Sequence, residues 1–228
     1  MFRASPPTPL VSEVSMIAIA LLSFSADAST PSQILAAIKS ESGWTGETTN
    51  DGVKVTQKSV AGLSIPAFRG QRTFDVTCDA YFTAVSDPAR HQAVNSMLRE
   101  SGVVSTSGST VVFYQVVDLP LISDRYWINK AVNERNVGGV AGHHRQTWQG
   151  ANKDDYPAVR DAVEDKYSAV FTPINYGMWD LVPTASGGCT VTYAAVSDPG
   201  GSIPGGASSW ASEKSLPENI NSFYNAAR

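Results

Sequence analysis

From Thr110 onward the chain is a succession of strand-like stretches, and beyond Pro204 the pattern changes to that of a helix. This change of period constrains the fold more than any other feature. Residues alternating with period two line the two faces of a sheet, while a stripe at helical period needs an apolar surface to cover. Thr110–Val117 is β-branched and aromatic, Arg125–Arg135 alternates, and 142–148 alternates again. Further strands are predicted over 167–172, 178–182 and 190–197, the last two joined by the turn Ser186-Gly187-Gly188. In the terminal segment Trp210, Ile220, Phe223, Tyr224 and Ala227 fall broadly on one helical face. Ser215-Leu216-Pro217-Glu218 reads as a capping box with proline in the first turn, so a kink or restart is expected there.

The first third is simpler. Thr30-Pro31-Ser32-Gln33 has a capping threonine, a proline suited to the first turn and the glutamine of a capping box, ahead of an apolar stripe of Ile34, Leu35 and Ile38. Asn50-Asp51-Gly52 is a turn into Val53–Lys58, whose strict alternation predicts a half-buried strand. A second strand is expected over 67–76 and a helix over 77–97. No repeat or low-complexity linker interrupts the chain, so 29–228 reads as one domain.

Composition narrows the partners. With 42 % hydrophobic and 17 % charged residues the chain is globular. A net charge of −4, with Lys and Arg scattered singly, excludes a nucleic-acid footprint and a polybasic membrane patch. Any membrane contact would be apolar and transient. The apolar run over 17–24 followed by Ala26-Asp27-Ala28 has the form of an export signal cleaved after Ala28, against the alternative of a disordered tail and a short helix. The signal reading places residues 1–28 outside the mature protein, which would be periplasmic or secreted. Cys78 and Cys189 are the only cysteines; two lone buried thiols are slightly favoured over a bridge, because pairing needs Cα atoms within about 7 Å.

Two segments carry the most specific information. One is Asp118-Leu119-Pro120-Leu121-Ile122-Ser123-Asp124-Arg125-Tyr126-Trp127; the other runs from Thr192-Tyr193 to Asp198-Pro199-Gly200-Gly201-Ser202-Ile203-Pro204. Together with Gly43-Trp44, Asp51-Gly52-Val53-Lys54-Val55, Ala67-Phe68-Arg69-Gly70 and the closing Ser215-Leu216-Pro217-Glu218-Asn219-Ile220, they follow an order that resembles the StAR-related lipid-transfer (START) family. The resemblance implies an α+β helix-grip fold: a curved antiparallel β-sheet wrapped around a long C-terminal helix and enclosing an apolar cavity. It also implies a bacterial monomer that binds one lipid or sterol-like molecule, with no catalysis, metal or other cofactor.

The chain departs from the family pattern in three places. The stretch between Val159 and Tyr176 is longer than usual and is expected to form an extra hairpin at the cavity mouth. A tryptophan common after the second helix is replaced by the run Arg90-His91-Gln92-Ala93. Where some members bury an acidic-basic pair, this chain has Tyr114 or Gln115 and Ala131, so no head group follows from the resemblance.

Other chemistries lack their residues. His143-His144 with His91 suggests a metal, but neighbours in a strand point to opposite faces and no ligand spacing supports them. No Gly-x-Ser-x-Gly elbow is present, and Gly138-Gly139-Val140-Ala141-Gly142 has the wrong spacing for a dinucleotide. Arg125 is expected to pin its preceding turn through Asp118, Asp124 or Asp198 more than to hold a ligand's polar end. The residues expected around a ligand are Tyr114, Val116, Arg125, Trp127, Asn129, Trp148, Tyr193, Trp210 and Phe223. The 149–157 loop and the C-terminal helix, hinged near Gly205-Gly206 and Pro217, are the expected movers. Two rival readings remain: a polyketide cyclase or aromatase using Arg125, Tyr114 or His144, and a fully packed domain that binds only protein.

Overall fold

The structure, a computed structural model, describes residues 29–119, 122–200 and 207–228, with the side chains of 207–214 outside that description. The export signal, the Gly205-Gly206 hinge and the Trp210 side chain therefore lie outside the described residues. The chain begins with α1 (Pro31–Lys39), β1 (Thr45–Asn50), β2 (Val53–Lys58), β3 (Ala67–Phe74), α2 (Cys78–Val85) and α3 (His91–Val94). Strands β4 (Leu98–Ser107), β5 (Thr110–Val117), β6 (Arg125–Arg135) and β7 (His144–Gly150) follow. Then come α4 (Pro157–Tyr167), β8 (Val170–Phe171), β9 (Ile174–Pro183), β10 (Cys189–Asp198) and α5 (Ala207–Ala227).

All the strands share one curved sheet in the order β1-β2-β3-β10-β9-β7-β6-β5-β4, antiparallel throughout and not closed into a barrel. The two-residue β8 lies parallel beside β6, off this path.

Local chemistry explains most of the elements. At α1 the Thr30 hydroxyl accepts from the Gln33 N–H while the Gln33 side chain accepts from the Thr30 N–H, the expected reciprocal cap. Asp51 and Gly52 both take positive φ, 47° and 76°, and so close the β1–β2 hairpin in two residues with the twist a sheet requires. The helix expected over 77–97 is shorter: α2 stops at Val85, Pro88 opens a 3₁₀ turn, and Leu98 already begins β4. Proline has no N–H for a helix interior and disfavours helical backbone at Asp87 before it. Pro217, in contrast, does not break α5, which runs unbroken across it. The segment between Val159 and Tyr176 is no hairpin at a cavity mouth; it holds α4, whose Val159, Val163 and Tyr167 recur every fourth residue and give it one apolar stripe.

Three apolar clusters sort the sheet's two faces. On the inner face, α2 and α5 cover Val53, Val55, Phe74, Phe113, Trp148, Trp179 and Val191. On the outer face, α1 buries Ile34 and Ile38 against Met178, Ala194 and Val196. Also on the outer face, α4 buries Val163 among Val112, Val116, Tyr126 and Ile128. At Gly70 α5 packs tightly on the sheet: a Cβ there would lie 2.6 Å from Ile220 Cδ1 and 2.9 Å from Leu216 Cδ2.

Cys78 and Cys189 do not remain thiols. Their Cα atoms are 5.0 Å apart and the sulfurs are bonded, tying the start of α2 to the start of β10 across 111 residues of sequence. The expectation of two free thiols is corrected here, since spacing along the chain carries no information about that approach.

Candidate functional site

Register decides which side chains meet between sheet and α5. Asn129 pairs with Phe113 on one side and Gly150 on the other, Ala131 pairs with Val111 and Trp148, and Trp148 pairs with Gly177. Tyr193 pairs with Trp179, and Trp127 with Gln115. Directly paired residues share a face, so Arg125, Trp127, Asn129, Trp148 and Tyr193 all lie on the inner side. Phe223 reaches the same layer from α5, 5.4 Å from Trp179 and 4.9 Å from His91 between ring centres. It is part of the packed core there.

Tyr114 and Val116 do not belong to this layer. One residue of parity puts them on the outer face, in the cluster beneath α4. The Tyr114 hydroxyl donates to Glu100, which also accepts from Lys166 and Tyr167. The 149–157 segment likewise turns to the outer face: Ala151 and Tyr156 pack under α4, and Lys153 binds Glu164 at 2.8 Å. As a lid over the inner face it is ruled out by that position.

Arg125 is only 4 % exposed, and among the described residues it meets no carboxylate. Its guanidinium donates to three main-chain carbonyls, Ser123 at 2.5 Å, Pro199 at 2.7 Å and Gly200 at 3.3 Å. The anticipated acids are used elsewhere: Arg99 binds Asp118 and Asp124, and Asp198 accepts the Gly200 N–H. The expected ion pair is thus replaced by a clamp. Main-chain carbonyls satisfy a planar five-donor fork without the desolvation of a second charge.

The layer between sheet and helix is largely aromatic. Trp148 folds over Gly177, where a Cβ would sit 2.2 Å from its ring, and stacks on Tyr193 at 5.6 Å. Tyr193 in turn lies 4.4 Å from Trp179. Burial pushes the Tyr193 phenol up to about 12, a hydrogen bond with Asn219 of α5 opposing the shift. Yet Tyr193, like Trp127 and Ala195, keeps free surface although its side chain faces inward.

The polar groups in the layer are linked. The Trp127 indole donates to Gln115 Oε1 at 2.9 Å, and the Gln115 amide meets His91 Nδ1 at 2.9 Å. His91 Nε2 then bonds the Val85 carbonyl at 3.1 Å. This arrangement requires the neutral ring with its proton on Nε2. Burial lowers the His91 pKa to about 4, with the Val85 carbonyl the largest opposing influence. His144 and His143 go to Asp79 and Asp180 instead, so the three histidines serve three separate places. The sequence names Gln115 only as the alternative to Tyr114 for a buried polar position, and His91 only as a third histidine; the alternation of Gln115 with Phe113 on one face of β5 is the signal that separates Gln115 from Tyr114.

Asn129 differs from its neighbours. It is 2 % exposed, and its Oδ1 is buried with no hydrogen-bond partner among the described residues.

No family model matches the chain. An uncharacterized protein of Pseudomonas aeruginosa is 26 % identical over 157 residues, covering 68 % of this chain and 71 % of that one. A STAR-related lipid transfer protein fragment from Xanthomonas axonopodis superposes with TM-score 0.64 at 24 % identity, over 82 % of this chain and 97 % of that chain. Human StAR-related lipid transfer protein 5 gives 0.71 at 14 % identity, over 86 % and 96 %. An aromatase/cyclase of a Streptomyces species gives 0.51 at 10 % identity, over 71 % and 93 %. The fold is the START helix-grip fold of these lipid transfer structures.

Proposed function

We propose, from the START helix-grip fold, that this chain binds one apolar molecule between the inner face of its sheet and α5, as a carrier and without chemistry on it. The observation that carries the reading is the free surface on inward-facing Trp127, Tyr193 and Ala195, at a depth where the Tyr193 phenol is raised to about 12 by burial. Side chains that deep touch neighbours on all sides when a core is filled. Free surface there, lined by aromatic and small residues with few polar groups, is what a ligand pocket presents. Structures with this fold that are named as lipid transfer proteins agree with the reading.

The cyclase reading draws no support from the residues available to it. Tyr114 lies on the other face, Arg125 is committed to carbonyls, and His144 is bound to Asp79. We further propose that the chain is exported and works as a monomer. The apolar run over 17–24, the Ala26-Asp27-Ala28 triplet and a bridge between the only two cysteines favour an oxidising compartment.

Native mass spectrometry of the purified protein tests the carrier reading. A bound species in the lipid mass range is expected. Ala195→Trp, on the inner face of β10, should lower uptake of a pyrene-labelled alkanol about tenfold while shifting the melting temperature little, because a filled core would not accept that bulk. If no ligand is found and Ala195→Trp unfolds the protein, the interior is solid core and the proposal fails.

A further inference from the structure

The geometry points to Asn129 as the docking point for a neutral hydrogen-bond donor, a hydroxyl, on the otherwise apolar ligand. The inference rests on the carrier reading above and adds the ligand's polar chemistry to it. Asn129 lies between Trp127 and Ala131 along β6, with Phe113 beside it on β5, so its side chain lies on the inner face of the sheet. Its cross-strand partner on β7 is Gly150, which has no side chain to cover it. Trp148, the next bulky residue on that strand, leans away over Gly177 and toward Tyr193.

The indoles of Trp148 and Trp127 are already engaged. The Trp148 indole donates to Asn175 Oδ1 at 2.9 Å, and the Trp127 indole to Gln115 at 2.9 Å. Asn129 Oδ1 is therefore an acceptor, 2 % exposed in its residue as a whole, with no donor among the described residues. Native interiors leave few such atoms unpaired. An apolar residue of similar size would fit the strand equally well, so an amide here is explained by something it meets in the bound state. An alcohol satisfies the acceptor. A carboxylate would set charge against it, and an ether has no proton to give.

The test compares 4-(1-pyrenyl)butanol with its methyl ether, binding being read by energy transfer from tryptophan to pyrene. The parent protein is expected to bind the alcohol about tenfold more tightly than the ether, the size of one hydrogen bond to a buried acceptor. Asn129→Leu should bring the ratio to about one through loss of alcohol affinity alone, with ether affinity kept and the ligand-free melting temperature unchanged or raised. Asn129→Ala serves as a second variant with the same expected loss of preference. A structural asparagine would show the opposite, with both variants melting early. Early melting in both, equal binding of the two probes by the parent, or a preference retained in either variant overturns the assignment and leaves the carrier reading standing. If the parent binds neither probe and native mass spectrometry finds no bound lipid, the carrier reading falls and this inference falls with it.

Discussion

His91 has both ring nitrogens engaged, one by Gln115 and one by the Val85 carbonyl, and Phe223 meets its ring at an edge. Protonation would force a second N–H against the Gln115 amide, which must then turn and release Trp127. With its pKa lowered from 6.5 to about 4, the folded protein binds fewer protons at this ring than the unfolded chain throughout that interval. Stability is therefore full above pH 6.5 and falls as the pH drops toward 4, by on the order of 3 kcal/mol over the whole window. Urea unfolding at pH 7 and pH 5 measures most of it, before acidic side chains begin to titrate. His91→Gln should remove that part of the pH dependence; a variant as pH-sensitive as the parent would mean that another group is responsible. Arg125 illustrates how much of a residue's role the sequence conceals. Its position at the head of β6 was legible, but its partners proved to be carbonyls: Ser123 in the turn before it, and the adjacent Pro199 and Gly200, 74 and 75 residues further along the chain.

At the scale of elements, strong local signals were readable and edges were not. Val53–Lys58, Thr110–Val117 and Arg125–Arg135 keep the predicted bounds, since each is paired along both edges and carries β-branched or aromatic residues that favour a strand. Strand β1 is exposed along its whole length and β4 is mostly polar, so neither has a period to detect; both lie at the ends of the sheet. The parity error at Tyr114 and Val116 has a related cause. Strand β5 carries apolar residues on both faces because α4 covers the outer one, and alternation then cannot say which is inward. Packing between elements yields a sharp expectation at Gly177. A Cβ there would approach the Trp148 ring to 2.2 Å and the Ala194 carbonyl to 2.7 Å. Gly177→Ala should drive Trp148 off its shelf, separate it from Tyr193 and destabilise the fold by about 1–3 kcal/mol. Near-ultraviolet circular dichroism and thermal melting read both effects, and an unaltered aromatic spectrum would show the indole has room that the glycine does not provide.

For the whole molecule, the Cys78–Cys189 bridge joins α2 to β10 across 111 residues and thereby holds one inner-face helix to the middle of the sheet. Closing so long a loop restricts the unfolded chain, and its loss is expected to cost about 2–5 kcal/mol. Protein recovered from its native host should begin at Ser29, resist thiol alkylation and melt several degrees higher than the Cys78→Ser/Cys189→Ser variant. An intact Met1 with two alkylatable thiols would refute export. The sequence by itself determined the chemistry of each segment: which stretches alternate, where Thr30 caps a helix and where Asp51-Gly52 turns. These are local matters, fixed by residues within a few positions of one another. The tertiary structure alone decided that the cysteines meet, that Arg125 clamps carbonyls, that Tyr114 faces outward, and that Asn129 carries an acceptor unmet among the described residues on the inner face. Each of those depends on strand register and on residues distant in the chain, and register emerges only when the whole sheet chooses the pairing that buries both of its faces.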